Sequence, residues 1–172
     1  DGNTLSSVIR DAWDRDYLGS LTKNSPARAT NPHISIIGNI TRDELLRGML
    51  ANEADNGLAN RFLWACSRRS KCLPEGGRLW TVDFTDLQKE FNRVCFDLQG
   101  VGAMCRDEEA ADLWGRNEKP DIGAYQELTK EHYGLFGAVT ARGAAQVLRL
   151  SLIYALLDQA REIRREHLLA AL

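Results

Sequence analysis

The run His33-Ile34-Ser35-Ile36-Ile37 closes on Gly38-Asn39 and is followed at once by Thr41-Arg42-Asp43-Glu44. A short β-branched run of this kind reads as a buried strand. Threonine with a glutamate three residues on is a capping box, so a helix starts there. Leu45, Leu46, Met49 and Leu50 form that helix's apolar face, and Asp55-Asn56-Gly57 ends it. The next hydrophobic run, Arg61-Phe62-Leu63-Trp64-Ala65-Cys66-Ser67, reads as a second strand that opens on an arginine. This order sets the expected fold: a strand ending in the Asn39 amide, a helix, then a neighbouring strand opening with the Arg61 guanidinium, both groups on one rim of one sheet.

Around this unit the chain is punctuated clearly. Leu5, Val8, Ile9, Ala12 and Trp13 make one face of a first helix, with Thr4 or Ser6 as its cap. Tyr17 to Lys23 alternates as a strand, Asn24-Ser25-Pro26 is a turn signal, and Ala27 to Thr30 is its return arm until Asn31-Pro32 breaks it. Leu79 to Val82 reads as a short strand. From Asp83 the pattern is helical: Leu87, Phe91, Val94, Cys95 and Leu98 share one face. Further helices are expected over 107–117, over 121–136 and from Arg164 onward. The longest is expected over 140–159, where apolar residues from Val147 to Leu157 cover most of the circumference. The composition shift near residue 83 divides a mixed part, 1–82, from an all-helical part, 83–172. The fold class is α+β and helix-rich.

Length and composition bound the rest. A chain of 172 residues suits one domain, or one domain with a subdomain. A net charge of −2 makes no overall case for a polyanionic partner, so any nucleic-acid contact must be local. Arg61, Arg68, Arg69, Lys71 and Arg78 give one basic segment, which reads first as a solvated strand end and loop. The four cysteines, Cys66, Cys72, Cys95 and Cys105, form no C-x-x-C pair and no zinc spacing with histidine. Cys66 and Cys95 look like small core residues, and a reducing cytoplasm is their natural setting. No stretch approaches the roughly 18 apolar residues that span a bilayer, and there is no signal peptide. Both ends read as cuts within helical sequence.

Asn39, Arg61, Arg142 and Lys23 are the residues whose type and place suggest chemistry. Asn39 at a strand tip can orient a water, although a plain strand-to-helix turn also uses Gly-Asn. Arginine stays charged and binds phosphate oxygens in pairs. Arg61 precedes a hydrophobic strand, where it is hard to bury unless paired; it reads equally simply as a surface arginine at a strand entrance, or as an ion pair to Glu53 or Asp55. Arg142 opens the long apolar helix, where a solvent-facing first-turn arginine is the plainer reading. Arg149, within Val147-Leu148-Arg149-Leu150, is structural and needs an acidic partner. Lys23 at a hairpin tip suits a nucleic-acid phosphate or simple solvation. His33, His132 and His167 are scattered, and no Ser-His-Asp set, H-E-x-x-H or paired-carboxylate motif occurs.

The order Ile37-Gly38-Asn39-Ile40-Thr41, Leu58-Ala59-Asn60-Arg61-Phe62-Leu63 and Thr140-Ala141-Arg142-Gly143, running on to Leu148-Arg149-Leu150-Ser151, resembles the rear half of the minichromosome maintenance (AAA+) helicases. Leu21-Thr22-Lys23-Asn24-Ser25-Pro26-Ala27-Arg28-Ala29-Thr30 and Asn60-Arg61-Phe62-Leu63-Trp64 are similar to the RepA-like primase–helicases of phages and plasmids, over nearly the whole chain. The resemblance implies a first-sensor asparagine at Asn39, an arginine finger at Arg61, a second-sensor arginine at Arg142 and a DNA-contacting hairpin lysine at Lys23. It implies the rear of a RecA/AAA+-like ATPase core followed by a helical lid, DNA and neighbouring ring subunits as partners, no membrane, and ATP with Mg²⁺ as cofactors of the full-length protein. No G-x-x-x-x-G-K-[ST] loop and no strand ending in paired acids is present, so this stretch is expected to be inactive alone and to hold no cofactor. Leu63 stands where the minichromosome helicases carry aspartate. The alternative is a non-catalytic helical module for oligomerisation or DNA docking.

Overall fold

In a computed structural model of the chain, residues 5–20, 27–48, 57–115 and 123–172 are described. The chain divides into two compact units: Asp1–Leu63 with Glu131–Arg142, and Trp64–Lys130 with Gly143–Leu172. The class is α+β and helix-rich, with one two-stranded sheet among the described residues.

The first unit opens with α1 (Leu5–Asp14), which delivers the chain directly into β1 (Tyr17–Ser20). β1 pairs antiparallel with β2 (Ala27–Thr30), matching Tyr17 to Thr30 and Ser20 to Ala27. The Arg28 guanidinium lies 5.4 Å from the Tyr17 ring centroid, a cross-strand cation–π contact. Asn31 adopts φ 47°, a left-handed conformation that asparagine tolerates, and its N–H donates to the Asp16 carbonyl at 2.6 Å to end the ladder. The hairpin is therefore as expected where it is described; its tip, including Lys23, lies outside the described residues.

α2 (Arg42–Gly48) starts where the capping box places it. Glu44 N–H donates to Thr41 Oγ1 at 3.3 Å, and Thr41 N–H and Oγ1 reach Glu44 Oε2 at 3.4 and 2.8 Å. Met49 and Leu50 lie outside the described residues. Two strand expectations are corrected here. Residues 33–40 form no strand, and Ile34, Ile36, Ile37 and Ile40 are exposed. Arg61 ends a 3₁₀ turn, Ala59–Arg61, and residues 62–67 form no regular element. A strand exists only against a ladder partner. Among the described residues neither run has one. The Asn39 and Arg61 groups thus do not emerge from neighbouring strands. The last element of this unit is α6 (Gly134–Thr140), which packs against the 3₁₀ turn.

The second unit is helical. Leu79–Thr81 is a 3₁₀ turn, not the expected strand. α3 (Thr85–Asp97) begins beside Asp83, whose carboxylate accepts the Thr85 N–H at 2.9 Å. Of its expected apolar face only Val94 is buried; Leu87 and Phe91 are exposed. Cys66 and Cys95, expected in the core, are exposed too. α4 (Glu108–Trp114) is capped by Asp107, which accepts the Ala110 N–H at 2.8 Å. The helix expected over 121–136 is instead two: α5 (Ala124–Leu128), and α6 of the first unit. Gly134, at φ 68°, begins α6 in a conformation that interrupts a helix.

α7 (Gly143–Leu157) is the longest helix of the described residues, as its pattern predicts. Val147, Ser151 and Ala155, four residues apart, are its buried line. α8 (Arg165–Ala171) packs against it and against α4. Leu168 sits at the centre of one cluster with Ala110 and Val147, flanked by Leu113, Trp114, Leu128 and Ala171. A second cluster joins Ala155, Ala160 and Ile163 to Met104 and Leu152. The start of α8 is fixed by His167. Its Nδ1 accepts the Arg164 N–H at 3.0 Å, so the ring proton is on Nε2, which donates to Asp158 Oδ2 at 3.1 Å. The contact-based division falls at 63/64 and returns 131–142 to the first unit, whereas composition alone divides the chain near 83.

Candidate oxyanion site

Three segments of the first unit meet at one carboxylate. Asp14 is the last residue of α1, Arg61 the last of the 3₁₀ turn, and Arg142 follows α6 by two residues. Arg142 donates from Nη1 to Asp14 Oδ1 at 2.9 Å and from Nη2 to Oδ2 at 3.4 Å, a two-pronged contact. Arg61 donates from Nη2 to the same Oδ2 and from Nη1 to the Gly57 carbonyl. Gly57 has φ 73°, and a Cβ there would stand 3.1 Å from Arg61 Nη1, so glycine serves both the turn and the close approach. The Arg142 guanidinium also lies 5.9 Å from the Trp13 ring centroid.

Burial differs within the triad. The Arg61 side chain is 9% exposed, against 31% for Arg142 and 39% for Asp14. Arg61 Nε is buried and has no hydrogen-bond partner among the described residues. Desolvation pushes the Asp14 carboxyl upward, but the hydrogen bonds and charges of Arg61 and Arg142 outweigh it, so its pKa falls below the ordinary aspartate value. Two guanidinium groups face one carboxylate, which leaves the cluster one positive charge in excess. Such a site favours a further anion, or a dianion in place of the carboxylate.

The structure thus brings Arg61 and Arg142 together, and Arg61 is paired as burial demands, although with Asp14 and not with Glu53 or Asp55, which lie outside the described residues. Asn39 is exposed in the irregular segment 33–40, and no described contact joins it to the triad. Arg149 is exposed on α7. Sequence reasoning missed Asp14, because its partners lie 47 and 128 residues away and nothing local marks it. Among the described residues no group of three His, Cys, Asp or Glu side chains could hold a metal ion. The donors at this site are guanidinium groups, which fit phosphate oxygens and not Mg²⁺. No helix among the described residues is long and apolar enough to cross a membrane.

No protein-family model, no curated protein and no solved structure matches the chain.

Proposed function

We propose that this chain is the rear part of a P-loop ATPase of the phage and plasmid primase–helicase type, and that Arg61 and Arg142 act on nucleotide phosphate. The supporting observation is their convergence. Two arginines distant in sequence share one anionic partner, at the two positions where the resemblance expects a finger and a lid sensor. Guanidinium groups that reach one carboxylate can reach one phosphate group, which is what charge stabilisation in phosphoryl transfer needs. Asn39 and Lys23 are the proposed water-orienting and DNA-contacting residues. DNA, neighbouring subunits of a ring, and Mg²⁺-ATP are the proposed partners of the complete protein, in the cytoplasm of its host.

The test uses the protein that carries the phosphate loop. Arg61→Ala should lower ATP turnover by about 10³-fold or more while ATP binding persists. Unchanged turnover refutes the reading. The chain alone should show no magnesium-dependent ATPase.

A second reading, a helical docking or oligomerisation module, is favoured by two observations. The runs 33–40 and 62–67 form no sheet, and Leu87 and Phe91 leave an apolar helix face open. Under it, Arg61→Ala leaves turnover intact.

A further inference from the structure

We propose that Asp14 is a built-in substitute for phosphate: its carboxylate holds Arg61 and Arg142 together until a phosphate-type oxyanion displaces it and takes over both guanidinium groups. The proposal deepens the ATPase reading and concerns the regulation of the same pair.

Four observations carry it. First, the two arginines are pre-paired by an anion, not by a carbonyl framework alone. Oδ2 accepts from both, and Oδ1 accepts from Arg142. Second, the anion present is a poor match. A carboxylate has two oxygens and one charge, and among the described residues it leaves Arg61 Nε buried without an acceptor. A tetrahedral oxyanion has more oxygens and up to two charges, so it can serve Nε and Nη2 of Arg61 together with Arg142. An orphaned buried N–H costs free energy, and filling it favours the exchange. Third, Asp14 is held at an unfavourable place. It ends α1, where the helix dipole disfavours a negative charge, and Arg61 and Arg142 offset this. Fourth, access is one-sided. Asp14 and Arg142 are 39% and 31% exposed, whereas Arg61 is anchored to the Gly57 carbonyl and nearly enclosed. A solute can therefore replace Asp14 without first dislodging Arg61.

The competition has a definite signature, because an internal anion lowers the affinity for an external one by the free energy of its own contact. The probe is pyrophosphate, titrated into this chain by calorimetry and by NMR of the arginine Nε–H groups. Asp14→Asn, which keeps the shape and removes the charge, should bind pyrophosphate about fivefold more tightly than the wild type. The double variant Asp14→Asn/Arg61→Ala should lose that gain. A purely structural Asp14 predicts a lower melting temperature with no gain in anion affinity, and that result overturns the proposal, as does a gain that survives Arg61→Ala. Should Asp14→Asn fail to fold, the wild type decides. The Asp14 carboxyl carbon and the Arg61 Nε–H resonance must move along one isotherm; a carboxyl resonance that stays still while the arginines respond overturns the proposal, as does a complete absence of binding at millimolar pyrophosphate. None of these readouts involves ATP hydrolysis, so the turnover assay stands or falls separately.

Discussion

Replacing Leu168 by alanine tests whether the second unit is held by the small cluster at the α4–α7–α8 junction. Leu168 is fully buried and touches Ala110 and Val147, with Leu113, Trp114, Leu128 and Ala171 around it. Truncation removes the transfer free energy of the lost carbons and leaves a void, which together cost about 2–5 kcal/mol for a buried leucine. Ala110 and Val147 are small and held on helices, so they cannot close the void. Leu113 and Leu128 are only half-buried and have room to lean inward. Partial collapse of this kind points to roughly 3 kcal/mol, the middle of that range. For a unit of this size that is a melting-temperature drop of about 10–20 °C. The control is Leu157→Ala on α7, where the side chain is 46% exposed and the loss should stay below about 1 kcal/mol. Urea unfolding followed by circular dichroism measures both. Equal losses for the two variants, or a Leu168→Ala loss under about 1 kcal/mol, would refute the assignment of the core to this junction.

Three further outcomes follow from the geometry. Asp14→Asn should cost about 1 kcal/mol at neutral pH, because the carboxylate is more than a third exposed and solvent screens its pairs. The folded-state pKa of Asp14 is lowered, so its stabilisation is present above the unfolded value near 3.9 and is lost as pH falls through the folded value. The wild-type and Asp14→Asn melting temperatures should therefore differ by a constant amount above about pH 5 and converge below pH 4. Gly137→Ala should destabilise the first unit by about 1–3 kcal/mol, since a Cβ there would stand 1.8 Å from the His132 carbonyl oxygen. Gly143→Ala, whose Cβ meets only ordinary contacts, should be neutral or mildly stabilising in thermal melts. His167→Ala should cost about 2–3 kcal/mol, for it strands the Arg164 N–H and empties a buried site, whereas Asp158→Asn should cost under about 1, its side chain being 68% exposed. Denaturant midpoints separate these two.

What could be read from the sequence was local. The capping box at Thr41 and Glu44 needs only four residues, and the β1–β2 hairpin needs a turn signal between two short arms. The long apolar pattern of α7 is legible for the same reason. The β-branched run at 33–37 shows the limit: its composition suits a strand, but a strand is a property of two segments, and among the described residues no second segment pairs with it. The break between α5 and α6 was hidden because apolar spacing runs across it while Gly134 takes a left-handed turn. At the candidate site, the arginines announced themselves by type and position, and Asp14 did not. A carboxylate at the end of an amphipathic helix is ordinary until its partners are known.

The chain passes between its two units three times, after Leu63, after Lys130 and after Arg142. Arg61 lies two residues before the first passage, and Arg142 is the residue at the third, joined by a single peptide bond to the opening of α7. Two of the three passages thus lie within two residues of a guanidinium bonded to Asp14.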